Sequence, residues 1–268
     1  MRKRKYMMGL VAAMAISVVV PAAAHATIAP GLPTTITPDP SPTKQDKKAR
    51  GGLSLGFTTH TAHVAPFTVL QPAASVVVDF DRNFAFDAGN KDECSALELS
   101  NTDTATARAR CGSSQVGDGF ATTIGTAGDV TQETVSAFNG AASGRGLQLL
   151  LHVRITQANT TLVLPGNLVN SPLGGQYGKR LDVSPIQNST PTGRQLETFF
   201  VDIPKQVTKK KKKKLANGKK KTIKTFYLSA KCSGDKVWQF SSVNNHYAGP
   251  TTSDTAEVPC KQKKRKKK

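Results

Sequence analysis

Aromatic side chains are scarce in this chain. They make up 6% of its 268 residues, and Trp238 is the only tryptophan. Surfaces that stack single-stranded nucleic acid need several exposed rings interleaved with basic residues. The basic run Lys209–Lys214 contains no aromatic residue. A contact made by this run would therefore depend on charge alone, and it would be sensitive to salt and blind to sequence.

Long helical patterns are also missing, since no window repeats apolar residues with a capped period of 3.6. Short runs rich in β-branched or apolar residues alternate instead with Gly, Pro, Asn or Asp. This spacing predicts an all-β fold, an antiparallel β-sandwich of the immunoglobulin-like or jelly-roll-like kind. Residues 101–110 fit a short helix or a strand equally well. The predicted strands are 74–80, 116–124, 130–138, 147–155, 161–164, 196–203, 237–243 and 252–258.

Composition divides the chain into four segments. A basic start, an apolar run of 14 residues and an A-x-A site predict a secretory signal peptide over residues 1–26. Residues 27–50 are rich in Pro and Thr and predict an extended or disordered linker. Residues 51–260 predict the β-sandwich, either as one domain or as two that meet near 140–146. Residues 261–268 predict a disordered basic tail.

These segments predict a secreted protein, extracellular or associated with the cell wall. The apolar run is shorter than the roughly 20 residues that span a membrane. No second hydrophobic run follows it, so we expect no membrane span after cleavage of the signal peptide. We expect a monomer.

The chain has four cysteines, Cys94, Cys111, Cys232 and Cys260. An even number in an exported protein predicts disulfides, with three possible connectivities. No C-x2-C pair is present, which disfavours a zinc site. We favour the pairs Cys94–Cys111 and Cys232–Cys260, because each closes a short loop.

The stretch Val207–Cys232 predicts a β-hairpin with a tip made almost entirely of lysine. Asn217-Gly218 suits a two-residue type I′ turn, in which both residues need a positive φ. With that turn, Lys214 would lie opposite Lys221. Lysine opposite lysine is unfavourable across a strand pair. We therefore expect the distal half of the hairpin to fray in dilute salt and to become ordered when a polyanion lies along it.

The net charge of +19 is concentrated in a few places. Residues 205–224 hold 11 lysines, the tail 261–268 holds 7 basic residues and residues 2–5 hold 4, which leaves 15 basic residues against all 18 acidic ones. The body is thus mildly acidic. The alternative is that the lysines are merely solvated, or that they protect an edge strand from aggregation. The candidate polyanion-binding residues are Lys209, Lys210, Lys211, Lys212, Lys213, Lys214, Lys219, Lys220 and Lys221.

The expected partners of these lysines are anionic polymers bound by charge only, such as teichoic acid, acidic polysaccharide or extracellular DNA. The alternative function is a carbohydrate-binding module or a glycan-active enzyme on a sandwich scaffold. That alternative rests on fold analogy alone. A concave face with exposed aromatic rings would favour it, whereas a buried Trp238 would count against it.

No catalytic constellation stands out, and we expect neither an enzyme nor a cofactor or metal. His60 and His63 have the spacing of a weak metal pair, but no carboxylate accompanies them. His152 lies in an apolar strand pattern, where a histidine is more often a core residue than a base. Asp79 and Asp81 are best interpreted as acids of a strand end and a turn.

Three groups of residues are similar to motifs of exported hypothetical proteins from high-GC actinobacteria. They are the stretch Cys111–Gly119, the stretch Ala137–Gly140, and Tyr227–Cys232 followed by Trp238 and Cys260. The resemblance spans most of residues 74–260. It implies a secreted, disulfide-bearing, all-β domain and no particular activity. Gly112 departs from the pattern, in which proline is expected.

Overall fold

The computed structural model describes residues 34–61, 73–124, 129–143, 146–186, 195–214, 218, 220–247 and 251–263. Most of them lie in antiparallel strands, which confirms the all-β prediction. The predicted signal peptide, His63, Lys219 and residues 264–268 lie outside the described residues. Within the described ranges, no helix has the length and apolarity that a membrane crossing requires.

Strands are numbered along the chain. The first nine are β1 Thr34–Ser41, β2 Lys44–Gln45, β3 Gly51–Gly52, β4 Ser54–Thr61, β5 Ala73–Asp81, β6 Phe84–Phe86, β7 Gln115–Ile124, β8 Val130–Ser143 and β9 Gly146–Ile155. The next nine are β10 Thr160–Asn170, β11 Tyr177–Val183, β12 Gln195–Ile203, β13 Val207–Lys214, β14 Lys220–Phe226, β15 Leu228–Ala230, β16 Val237–His246, β17 Thr252–Pro259 and β18 Lys261–Gln262. Two helices, α1 Ala96–Leu99 and α2 Thr104–Cys111, precede β7.

Eleven strands form one large sheet, in the order β1-β4-β12-β7-β8-β9-β10-β11-β5-β16-β17. Its two edge strands, β1 and β17, approach each other, so the sheet nearly closes around the core. Side chains join them: Thr34 Oγ1 lies 3.0 Å from Thr252 Oγ1, and the amide of Ile36 donates to Asp254 Oδ2 at 2.8 Å. We call this junction the seam.

Proline explains why no backbone ladder crosses the seam. Successive residues of a strand direct their backbone groups to opposite sides. Pro38 and Pro40 therefore share the side of Ile36, whose amide reaches β17, and neither has an N–H to donate. Edge strands are one of the few places in a sheet where proline is tolerated.

The linker prediction is wrong for residues 34–41 and 44–45, which form β1 and β2. Buried and exposed residues alternate without a break along β1, and Thr34 and Ile36 face inward. The average composition of this Pro- and Thr-rich segment does not reveal the alternation of buried and exposed residues. The segment is ordered because one side pairs with β4 and its inward side chains join the core.

Buried aromatic rings cluster in the core near the end of β5 and the start of β16. Trp238, Phe240 and Phe84 are almost completely buried, with Phe84 lying edge-to-face against both other rings at 5.3 Å. The indole Nε1–H of Trp238 donates to the carbonyl of Lys231 at 2.8 Å. Trp238 is therefore a core residue whose polar atom is satisfied.

Helices α1 and α2 cover the outer face of β8 and β9, where Leu99 and Ala107 pack with Phe138 and Leu150. The carboxylate of Asp103 accepts the amide of Thr106 at 2.7 Å and so caps α2. This cap and the packing decide the open alternative for residues 101–110 in favour of a helix. Of the predicted boundary region, residues 140–143 belong to β8 and residue 146 to β9, which are paired neighbours in the large sheet.

Candidate functional site

Strands β13 and β14 form a separate two-stranded sheet that projects from the body, and we call it the ribbon. All of its described lysines are exposed: Lys209, Lys210, Lys211, Lys212, Lys213, Lys214, Lys220, Lys221 and Lys224. One of the nine candidate residues, Lys219, lies outside the described residues. The predicted lysine-rich hairpin is thus present as a regular antiparallel element.

The register of the ribbon differs from the prediction by one residue. Lys214 pairs with Lys220, and Lys213 rather than Lys214 pairs with Lys221. Five residues separate Lys214 from Lys220, and this odd number cannot produce the register of a two-residue turn. Gly218 has φ +76°, so glycine does supply a left-handed position there. Lysine still faces lysine at three pairs of the ladder, the third being Lys210 and Lys224.

The register divides the ribbon into two faces, because side chains alternate along a strand. One face, the five-lysine face, carries Lys210, Lys212, Lys214, Lys220 and Lys224 together with Thr222. The other, the four-lysine face, carries Lys209, Lys211, Lys213 and Lys221 together with Thr225 and the exposed Ile223. Lysines on one strand and face are spaced about 6.6 Å apart at the usual strand rise.

The base of the ribbon is fixed to the body. The ring of Phe226 packs against Gly52 so closely that a Cβ there would lie 2.2 Å from its Cδ1 atom. The ammonium of Lys205 lies 5.2 Å above the same ring. The ammonium of Lys209 donates to Asn90 Oδ1 at 3.0 Å, and this contact draws the four-lysine face towards the body.

The predicted disordered tail begins as a strand, so that prediction is wrong for residues 261 and 262. Lys261 and Gln262 form β18, which pairs in parallel with β2. The side chain of Gln262 also donates to the carbonyl of Ser233 at 2.7 Å. Backbone pairing with β2 orders these two residues despite the high charge of the tail. Composition alone could not reveal this pairing.

Both predicted disulfides are confirmed, Cys94–Cys111 and Cys232–Cys260. Cys232 follows the strand that continues the ribbon, and Cys260 immediately precedes the tail strand β18. The second bond therefore joins the roots of the two basic elements. Glu98 has a carboxylate oxygen within 4.8 Å of Cys94 and Cys111, but those sulfur atoms are bonded to each other and cannot act as thiolate ligands.

The ribbon and the tail leave the body at the same end, which we call the basic end. Strand β12 ends at Ile203, shortly before the ribbon, and β17 ends at Pro259, shortly before the tail. The segment 44–52 connects them, because it pairs with β18 at its start and with β15 at its finish. Sequence reasoning assigned the basic residues of this segment to a linker and missed their place beside the tail. They are Lys44, Lys47, Lys48 and Arg50.

No acidic side chain forms a salt bridge with a ribbon lysine among the described residues. Two ion pairs lie in the described body of the protein, Arg108–Asp118 at 2.6 Å and Arg180–Asp79 at 2.7 Å. Asp79 is buried and binds Arg180 with both oxygens, which supports its interpretation as a structural acid. The ribbon therefore presents its charge to solvent.

Two of the histidines that the sequence singled out, His152 and His60, lie among the described residues. His152 is completely buried, and its Nε2 lies 3.1 Å from the carbonyl oxygen of Thr102. Burial lowers the pKa of His152 below its ordinary value. This confirms the interpretation of His152 as a core residue. His60 Nδ1 lies 2.9 Å from Thr198 Oγ1.

No family model, curated protein or solved structure matches this chain. The resemblance to exported actinobacterial proteins therefore stays a prediction.

Proposed function

We propose that this protein is a secreted, non-enzymatic β-sandwich that is retained on anionic polymers of a cell envelope through its basic end. The observation that carries the proposal is the ribbon, a regular sheet of exposed lysines without an acidic partner among the described residues. Two disulfides indicate an oxidising compartment, which agrees with export.

The lysine pairs of the ribbon give a polyanion a reason to bind there. Like charges directly opposite each other destabilise a strand pair. A row of phosphates or carboxylates would neutralise both members of each pair and would release counterions as it did so. Repulsion between the paired lysines weakens the ribbon when nothing is bound. A polyanion that neutralises these pairs would therefore bind to the ribbon and also stabilise its paired strands.

The five-lysine face is the better of the two surfaces for such a polymer. Its sixth side chain is the polar Thr222, whereas the four-lysine face carries the apolar Ile223 and has Lys209 engaged by Asn90. A flexible anionic chain could follow the regular row of charges without contacting an apolar side chain.

The tail adds a second point of attachment. Cys232 and Cys260 bond the root of the ribbon to the root of the tail. Two tethered sites bind one long polymer more tightly than either does alone, since the second contact is intramolecular. The basic end therefore acts as a bivalent charge anchor.

Retention on immobilised polyphosphate and on isolated cell wall, eluted with a salt gradient, tests this proposal. The first variant replaces Lys210, Lys212, Lys214 and Lys220 with serine. The matched control replaces Lys209, Lys211, Lys213 and Lys221, so that both variants lose four charges. The first variant should elute at lower salt, and the slope of log affinity against log salt should fall by about 3.

The control variant should reduce the slope of log affinity against log salt by less than half as much as the first variant does. Equal losses would show that the ribbon binds by charge density without a preferred face. Unchanged elution of both variants would contradict the proposal and would leave the lysines as a solubilising feature. The burial of Trp238 counts against the carbohydrate-binding alternative, which rests on fold analogy alone.

A further inference from the structure

A cavity of about 90 Å³ lies inside the nearly closed sheet. Its walls are almost entirely aliphatic and aromatic. Inward-facing side chains of β4, β5, β9, β10, β11 and β12 contribute to it, among them Phe57, Val78, Leu151, Leu164, Leu181 and Phe199. This space is smaller than the engineered apolar cavity of about 150 Å³ that binds benzene, so it suits only a slender aliphatic chain.

The lining is incompletely packed. Leu55 and Leu151 are almost completely buried, whereas Leu164, Leu181 and Phe199 keep intermediate exposure although they face inward. Protein interiors are normally packed without voids of this size. The lining also includes Phe80 and Ile203, at the ends of β5 and β12, so the gap extends along the interior towards the basic end.

A small polar pocket, which we call the mouth, lies at the end of the sheet farther from the basic end. Thr34, Thr61, Glu197, Asn244 and His246 line it. It shares Thr59, Val76 and Leu196 with the apolar cavity, so the two spaces adjoin. The strands that lead from the mouth, β12 and β17, end at the basic end.

Asn244 is the feature of the mouth that indicates a ligand. Its side chain is 3% exposed, and neither its Nδ2 nor its Oδ1 atom has a hydrogen-bond partner. Two positions earlier on the same face of β16, Ser242 is completely buried and its hydroxyl also lacks a partner. Buried polar groups are normally paired. A ligand with a polar head and an apolar tail would satisfy both features. Its head would hydrogen-bond to the amide of Asn244, and its tail would fill the apolar cavity.

We propose that the sheet interior binds a small neutral amphiphile, a primary alcohol or amide with a short aliphatic tail. The tail lies among Leu164, Leu181 and Phe199, and the head exchanges hydrogen bonds with the amide of Asn244. A neutral head is favoured because the carboxylate of Glu197 lines the same mouth and would repel an anion. This site lies at the opposite end from the charge anchor and does not depend on it.

The experiment uses the full secreted chain with 1-hexanol and hexanoate, which share a tail and differ in the head. Thermal unfolding and calorimetric titration are measured for each probe. At a concentration of hexanol about 100 times its Kd, the midpoint should rise by about 5 °C, because a ligand that binds the folded state stabilises it. Hexanoate should produce less than a fifth of that rise.

Two pairs of variants locate the site. Leu181→Trp fills the cavity and should abolish the hexanol shift, whereas Leu97→Trp, on the exposed face of α1, should leave it intact. Asn244→Leu should weaken hexanol about 10-fold. Asn245→Leu is its control, since this neighbour is exposed and bonds instead to Ser75. If Leu181→Trp does not fold, Leu164→Phe serves the same purpose.

Three results would overturn the proposal. A wild-type midpoint that hexanol does not change would mean that the cavity is a packing defect, or that water alone occupies the mouth. An undiminished shift in the cavity-filling variant would place hexanol elsewhere. Equal affinities of Asn244→Leu and the wild-type chain would exclude the amide as the partner of the head.

Discussion

The two ends of the nearly closed sheet differ in packing and in charge. At the basic end, Trp238, Phe240 and Phe84 fill the interior, and the ribbon and the tail are rooted outside it. At the mouth, leucine and phenylalanine side chains leave a cavity and Asn244 has no partner. The comparison indicates that the filled interior at the basic end gives the lysine-rich segments a firm attachment. The unfilled interior towards the mouth leaves space for a ligand.

Truncation of core side chains at the two ends is the strongest way to break this comparison. Phe240→Ala at the basic end should lower the free energy of unfolding by about 3–5 kcal/mol, since it removes a completely buried ring. Leu164→Ala in the wall of the cavity should cost less than about 2 kcal/mol, because its side chain already borders empty space. Urea denaturation measures both, and equal losses would show that the two ends are packed alike.

Removal of one disulfide sharpens the comparison at the basic end. Replacement of Cys232 and Cys260 with alanine should cost about 2–4 kcal/mol of stability and should also lower the salt concentration that elutes the protein from polyphosphate. The matched variant lacks Cys94 and Cys111. It should lose a similar amount of stability with unchanged elution, and a loss of retention there would argue against the rooting role of the second bond.

A pH scan tests the outer wall between the ends, where His152 is buried beneath Thr102. Its pKa is lowered in the folded protein, so the unfolded chain takes up a proton first as the pH falls. Stability should therefore fall below about pH 6.5, by about 1 kcal/mol per pH unit until the folded protein also becomes protonated.

The variant His152→Gln should show a flatter profile between pH 7 and 5. The variant His60→Gln serves as the control, because His60 is only half-buried. If the profile of His152→Gln matches that of the unmodified protein, another group produces the pH dependence.

The smallest expected effect concerns the ribbon itself. Lys213→Glu places opposite charges across from Lys221 and should stabilise the ribbon by about 0.2–1 kcal/mol at low salt. Lys212→Glu, opposite Thr222, is the matched control and should produce no such gain. Hydrogen exchange of the ribbon amides measures both, and equal protection in the two variants would contradict the register.

Local chemistry explains which predictions succeeded. Short apolar and β-branched runs between turn residues predicted eight of the eleven strands of the large sheet, and β1, β4 and β11 were missed. Cysteine spacing predicted both disulfides. The ribbon was predicted, but its register was not. The turn signal at Asn217-Gly218 does not specify how many residues separate the two paired strands. The strand β1 was missed because proline disfavours strands in general, whereas an edge beside a seam accepts it.

The amino-acid sequence by itself determined the all-β class, the disulfide pairs and the concentration of lysine in two segments. Each of these follows from neighbouring residues or from short loops. Only the tertiary structure decided that both lysine segments share one end, and that Asn244 lies unpaired beside an apolar cavity at the other. These arrangements depend on which distant strands pair and on how the sheet closes, and such contacts are set by the packing of the whole chain.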